Sequence, residues 1–109
     1  MSKTIRLRVN KVVEVYVADT FKERLLGYMF QKEPRYDSLL IQPCNSVHTF
    51  FMHFPIDVLF LNKENVIIDR RLGVEPGKMI MPIKEARAVL EGIAGTFEGY
   101  EIGEKLEIK

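Results

Sequence analysis

From Ile56 to Leu61 the chain is apolar on both faces of any strand it could form, apart from one carboxylate, Asp57. A strand of that kind is covered on both sides, so it belongs in the middle of the fold. Upstream, Phe50, Phe51, Met52 and Phe54 carry the apolar stretch back to Val47. His48, His53, Pro55 and Asp57 interrupt it, and it is too short to span a bilayer. With 109 residues the chain has room for one domain and one core. Hydrophobic residues at 47% and charged residues at 28% are ordinary for a globular domain and exclude wholesale disorder.

The rest of the chain reads as short strands and one helix. Ile5, Leu7 and Val9, then Val13, Val15 and Val17, alternate with polar residues over Thr4 to Ala18. Asn10-Lys11 between them turns the run into a hairpin, or the whole is one long bent strand. Thr20 with Glu23 three positions on makes a capping box, and Asp19 adds negative charge at the positive helix end. Phe21, Leu25 and Met29, widened by Leu26 and Phe30, give the apolar stripe of a helix over 20–31. Gly27 inside that helix costs about 1 kcal/mol relative to Ala, which a close approach to another backbone would justify.

Further strands are expected at Ser38 to Gln42, Val47 to Met52, Ile56 to Asn62 and Val66 to Arg71. Asn62-Lys63-Glu64-Asn65 and Val74-Glu75-Pro76-Gly77 read as turns. Ala86 to Glu91 is strand or helix, with strand favoured because the run is short and ends in Gly92 and Gly95. Gly95 to Tyr100 reads as a brief helical turn and Lys105 to Ile108 as a closing strand. The sum is an α+β, mostly β domain of about seven short strands.

Asp57 is the most informative polar residue. In a strand, Ile56, Val58 and Phe60 share one face while Asp57, Leu59 and Leu61 share the other, so the carboxylate stands in a leucine row. A buried charge needs partners, either backbone N–H groups or an arginine. Arg24 borders the helix's apolar face, and its forked guanidinium suits a carboxylate.

Cys44, His48 and His53 have metal-like spacing, but positions 48 and 53 point to opposite faces of a straight strand. A closed zinc site would need Asp57 as fourth ligand. Cys44, His48 and Met52 share parity and are soft ligands of the copper(I) kind, yet Met and Cys also serve as plain core filler. A Cys44–His48 nucleophile pair would require the chain to turn at Asn45-Ser46, since i and i+4 on a strand stand roughly 13 Å apart. No metal and no cofactor is therefore assigned. Phosphate loops, dinucleotide fingerprints and the common hydrolase motifs do not occur.

Sixteen basic against fifteen acidic residues leave a net charge of +1, short of the basic excess that nucleic-acid or membrane-surface proteins usually carry. From 46 to 60 no Lys or Arg flanks the aromatics, as a base-stacking platform would need. A single cysteine makes no internal disulfide, and no basic-then-apolar leader is visible, so a soluble, cytoplasmic protein is expected.

Three blocks together resemble a known family. They are Ala18 to Met29, with its Thr-x-x-Glu-Arg-x-x-Gly-x-Met pattern; His48 to Leu61, with its Pro-hydrophobic-Asp strand; and Val89-Leu90-Glu91-Gly92-Ile93-Ala94-Gly95, followed by Ile102-Gly103. The chain is similar to the domain-of-unknown-function family 192, small uncharacterised prokaryotic proteins, from about residue 13 to 108. The resemblance implies a compact, mostly β, barrel-like single domain with short helices, and it supplies no activity. The common family form has Trp-Met-Lys-Asn-Thr and several more residues ahead of the Pro-x-Asp strand. Here Met52 leads almost directly to Pro55, with His53 and Phe54 between, which marks a shorter subgroup. Many members look exported, a setting not carried over here.

The expectation is a non-enzymatic binding or accessory domain. It would hold a small molecule or peptide in a pocket near Arg24, His48, His53 and Asp57, while Thr20, Glu23, Gly27 and Asp57 brace the fold. The alternatives are a small hydrolase using Asp57 and a histidine as acid and base, and a purely structural interaction module. Oligomeric state is not readable from the sequence.

Overall fold

In the computed structural model, the residues described are 2–8, 11–18 and 20–108, with side chains described for 15–18, 20, 22–24 and 26–108. The elements run β1 (Ser2–Arg8), β2 (Lys11–Ala18), α1 (Phe21–Leu26), β3 (Ser38–Ile41), β4 (Val47–His48), β5 (Ile56–Leu61), β6 (Ile67–Val74), β7 (Met79–Ile80), β8 (Ala88–Ile93) and β9 (Glu107–Ile108). Seven of the strands form one sheet in the order β6-β5-β8-β3-β2-β1-β9, and β4 pairs with β7 in a second, small sheet. All pairings are antiparallel except β2 with β3.

The big sheet stops short of a closed barrel, because among the described residues no ladder joins its edge strands β6 and β9. Just ahead of each strand the chain comes together at one isolated bridge, Val66 to Lys105, beside bonds from Ile67 N to Glu104 O and from Leu106 N to Asn65 O.

Burial on both faces of the sheet explains the double apolar character of Ile56–Leu61. Every residue of β5 is buried, and so is every residue of β3. One core lies on the face of Leu59, Leu61 and Leu90, with Phe97, Tyr100 and Leu106 folded over it. The other lies on the face of Ile56, Val58, Phe60 and Val89, with Tyr28, Met52 and Phe54 over it. The alternation of residues 56–61 is thus as expected, and β1 and β2 form a hairpin rather than one bent strand. The turn expected at Asn10-Lys11 falls partly outside the described residues, since residues 9 and 10 are not among them, and nor are Asp19 and the side chains of Ile5, Leu7, Val13, Phe21 and Leu25.

Three expectations need correction. The helix expected over 20–31 ends at Leu26. Thr20 caps it as expected, its hydroxyl accepting from Glu23 N at 3.1 Å, but Gly27 is its C-cap rather than an interior residue, at φ 49° and ψ −122°. That conformation suits glycine and breaks the helical path. Phe30, expected on the apolar stripe, is consequently 62% exposed, its ring stacked on Phe51 and its N–H donating to Phe51 O. The strand expected over Val47 to Met52 is cut to two residues. Buried Thr49 is drawn aside, its hydroxyl donating to Glu75 O and accepting from Lys78 N, and Phe51 turns at φ 63°. Finally, the strand count rises from about seven to nine among the described residues: the first run is two strands, and Met79–Ile80, to which no element was assigned, pairs with Val47–His48 beside the bond from Thr49 N to Lys78 O.

The 62–65 turn falls where expected, while the strand expected over Ala86 to Glu91 is shifted to Ala88–Ile93, running through Gly92, and the closing strand is shortened to Glu107–Ile108. Asn62 Oδ1 accepts from Glu64 N and Val66 N and so holds the 62–65 turn. Gly95 to Tyr100 forms tight turns, with Thr96 N bonded to Ile93 O and Tyr100 N to Phe97 O.

Candidate functional site

In β8, Val89 and Glu91 point to the same face, so packing Val89 against Val58 and Phe60 carries Glu91 inside with it. In the sheet register Glu91 stands between Leu39 of β3 and Val58 of β5. Its covering layer is the end of α1. A Cβ built on Gly27 would stand 3.6 Å from Glu91 Oε1 and 3.9 Å from Ile41 Cδ1. The glycine therefore lies directly over the carboxyl group.

Glu91 is 3% exposed, and its Oε1 has no hydrogen-bond partner among the described residues. Burial pushes its pKa up to about 8, so the group is mostly a neutral acid at pH 7.

Glu91 forms one wall of a cavity of about 50 Å³ whose other walls include Arg24, Gly27, Cys44, His48 and Met52. This is room for a few atoms with polar partners. Two larger chambers adjoin it. One of about 280 Å³ shares Leu26 and Gly27 and extends past Tyr16, Glu23, Arg35 and Tyr36. The other, of about 180 Å³, shares Ser46, Val47 and His48 and runs between Met79, Ile80, Met81 and Pro82. In the first, Tyr16 Oη donates to Glu23 Oε2 at 2.5 Å, and Tyr16 stacks on Tyr36. That bond holds the Glu23 carboxyl below its usual range and lifts the Tyr16 phenol to about 12.

The four residues expected to line a site part company. Arg24 lies half-buried on the cavity wall, and its charge reaches the Cys44 thiol, where it works against the upward push of burial. His48 is on the same wall, with its ring stacked on Phe50 and its Nδ1 accepting from Phe50 N at 3.3 Å. His53 is exposed and is not among the cavity-lining residues.

Asp57 is 1% exposed but sits on the opposite face of the sheet. Its Oδ1 accepts from Gly73 N at 2.8 Å, and its Oδ2 accepts from Gly95 N at 2.8 Å and from Phe97 N at 3.0 Å. The contact considered with Arg24 is thus replaced by three main-chain amides.

Cys44 and Met52 do converge with His48 on the cavity, but the thiol donates to Ser46 O at 3.0 Å, and its burial raises its pKa. Among the described residues no group of three His, Cys, Asp or Glu stands close enough to hold a metal ion. No described helix is long and apolar enough to cross a membrane.

Glu91 is the residue that sequence reasoning missed. The signal was present: reading 88–93 as a doubly covered strand puts Glu91 in the same predicament as Asp57. Each of the three sequence blocks contributes to the cavity: Arg24 and Gly27 from the first, His48 and Met52 from the second, Glu91 from the third.

Residues 3–108 match the family DUF192, described as uncharacterized ACR. A UPF0127 protein of Pyrococcus furiosus is 37% identical over 102 residues, covering 87% of this chain and 86% of its own length. A UPF0127 protein of Pyrococcus horikoshii is 38% identical over 101 residues, covering 86% of each. Two crystal structures share the fold. One, from Sinorhizobium meliloti and provisionally described as a transcription regulator, has a TM-score of 0.84 at 22% identity, over 99% of this chain and 94% of that one. The other, of unknown function from Novosphingobium aromaticivorans, has a TM-score of 0.78 at 19% identity, over 97% and 82%. At those identities the likeness concerns the fold alone.

Proposed function

The chain belongs to the DUF192 family of uncharacterised proteins, and on that premise we propose that it is a non-enzymatic binding domain holding a small ligand or the end of a peptide in the cavity beneath α1. The observation that carries this reading is the fully buried Oε1 of Glu91 on the cavity wall, which has no hydrogen-bond partner among the described residues. A buried polar atom left unmade costs about 1–3 kcal/mol, which a purely structural module would gain by replacing the carboxyl with a hydrocarbon. A ligand that bonds to it recovers that energy on binding.

The hydrolase alternative has less support. Both oxygens of Asp57 are taken by amides on the far face of the sheet from His48, and the Cys44 thiol is shifted away from the thiolate a nucleophile needs. Neither nucleic acid nor membrane is the proposed partner, given a net charge of +1. The lone Cys44 suits a reducing setting, the cytoplasm.

A screen of small polar molecules and short peptides tests the reading, with thermal shift and amide NMR as readouts. Hits are expected to raise the melting temperature and to perturb residues 24–27, 44–52 and 89–91. Hits that perturb only surfaces remote from Glu91 would refute it.

A further inference from the structure

Resting on that reading, we infer that the ligand carries a neutral carboxamide on a short apolar chain: the amide sits in the small cavity between Glu91 and His48, and the chain lies in the chamber between Val47 and Met81.

The head group follows from what the walls offer. Oε1 of Glu91 is buried without a hydrogen-bond partner among the described residues. It lies against Gly27, and both residues line the cavity, so the carboxyl stands at its wall. His48 lines the same cavity. Its Nδ1 accepts from Phe50 N, which leaves the ring proton on Nε2 as a donor. In a space of about 50 Å³ a group of a few atoms reaches both walls. An amide N–H donates to the Glu91 carboxyl, and the amide C=O accepts from the acid O–H or from His48 Nε2–H. Such a group gives the buried oxygen its missing bond with no charge on either side.

Charged head groups fit less well. Burial keeps Glu91 mostly a neutral acid at pH 7, and an ionised carboxylate or ammonium seated beside it would bear the same desolvation. An ammonium also brings only donors, and it meets the imidazole N–H as a further donor. A bare metal ion is not gripped, because Cys44, His48 and Glu91 do not stand close enough together to hold one. The pairing makes no use of Arg24, which is already engaged within the chain.

The place of the chain follows from continuity. Ser46, Val47 and His48 line both the small cavity and the chamber of about 180 Å³, where Val47, Met79, Ile80, Met81 and Pro82 make an apolar wall. Met79 and Met81 are adaptable side chains left 61% and 67% exposed, ready to fold over a hydrocarbon. The same chemistry is offered by a free alkyl amide and by the side chain of a glutamine set between apolar residues of a peptide.

Calorimetric titration of the intact protein at pH 6.5 tests the pairing. The probes are hexanamide, N,N-dimethylhexanamide, hexanoate, hexylamine and acetamide, with an acetylated leucine-glutamine-leucine methylamide and its glutamate counterpart. Hexanamide or the glutamine peptide is expected to bind about tenfold more tightly than its charged or dimethylated analogue, the effect of one buried hydrogen bond. The tighter of the two identifies the source. Glu91→Leu should weaken amide binding about tenfold, whereas Glu91→Gln, which keeps a donor and an acceptor side by side, should retain it within about threefold. His48→Phe, at a half-buried position, should also weaken it, and it carries the test if Glu91→Leu does not fold. Met81→Asp, at an exposed position, should weaken hexanamide but not acetamide, which has no chain to lose.

Charged or dimethylated analogues binding as tightly as their amides would overturn the carboxamide inference and leave the pocket standing. So would amide binding unchanged in the folded variants Glu91→Leu and His48→Phe. Silence from every probe would overturn it too, and the pocket with it only if the broad screen is also silent.

Discussion

Asp57→Asn exchanges one carboxylate oxygen for an NH2 group, and every partner of Asp57 is an N–H donor. Either Gly73 or the pair Gly95 and Phe97 then faces a donor, at a buried site. Denaturant titration should show a loss of about 1–3 kcal/mol, the penalty of a buried hydrogen bond to a charge left unmade. A variant as stable as wild type would take Asp57 out of the bracing of the fold.

Glu91 behaves oppositely. Its folded pKa of about 8 lies above the ordinary value of 4.5, so the native state holds its proton where the unfolded chain has released it. Its contribution is therefore complete below about pH 4.5, declines as pH rises toward 8 and is flat beyond, a drop on the order of a few kcal/mol. Glu91→Gln should remove that slope and leave the variant more stable than wild type at pH 8.5, as read from urea midpoints. Equal slopes in the two proteins would mean that Glu91 is not the buried acid inferred here.

At the scale of elements, α1 and the 94–97 turn are the parts that aim side chains. Gly27 ends α1 at a backbone angle that L side chains rarely adopt, so Gly27→Ala should cost about 1–3 kcal/mol although a methyl group has ordinary contact room there. Calorimetric melting checks it, and an unchanged melting temperature would mean that the turn relaxes freely.

Gly92 is a different case. A Cβ there would stand 3.0 Å from Thr96 and 3.1 Å from the Phe97 ring, in the turn whose amides hold Asp57. Gly92→Ala should therefore shift that turn and share its damage with Asp57→Asn. The double variant should be less destabilised than the sum of the two singles. Strict additivity would separate the glycine from the carboxylate clamp.

Over the whole molecule, stability should be uneven. β3, β8 and β5 are paired on both sides and buried on both faces, whereas beside the sheet's two edge strands there is one isolated bridge among the described residues, Val66 to Lys105. Amide hydrogen exchange should show the strongest protection at Leu40, Leu59 and Leu90, and earlier exchange at Ile67, Gly103 and Leu106, where the seam is closed by a few bonds. Equal protection at both places would indicate a barrel closed as firmly as it is paired elsewhere.

Much of this was legible residue by residue. The two faces of 56–61, the interior place of Asp57, the Thr20 cap, the Asn62 turn and β8 all follow from periodicity or from hydrogen bonds that reach only a few positions along the chain. The site was legible in half. Arg24 and His48 were readable as polar residues beside apolar stretches, but nothing local says that they meet, or that His53 is left outside. The end of α1 misled because a glycine in a helical pattern looks the same whether the helix passes through it or stops on it.

What the sequence by itself determined is which side chains share a face, since alternation on a strand is set by the backbone and needs no neighbours. Only the tertiary structure decided who answers whom. The amides that hold Asp57 come from 16, 38 and 40 residues away, and the carboxyl at 91 is buried because the end of a helix more than sixty residues earlier closes over it. Hydrogen-bond partners and solvent access depend on which distant segments are packed together, and local periodicity carries no record of that.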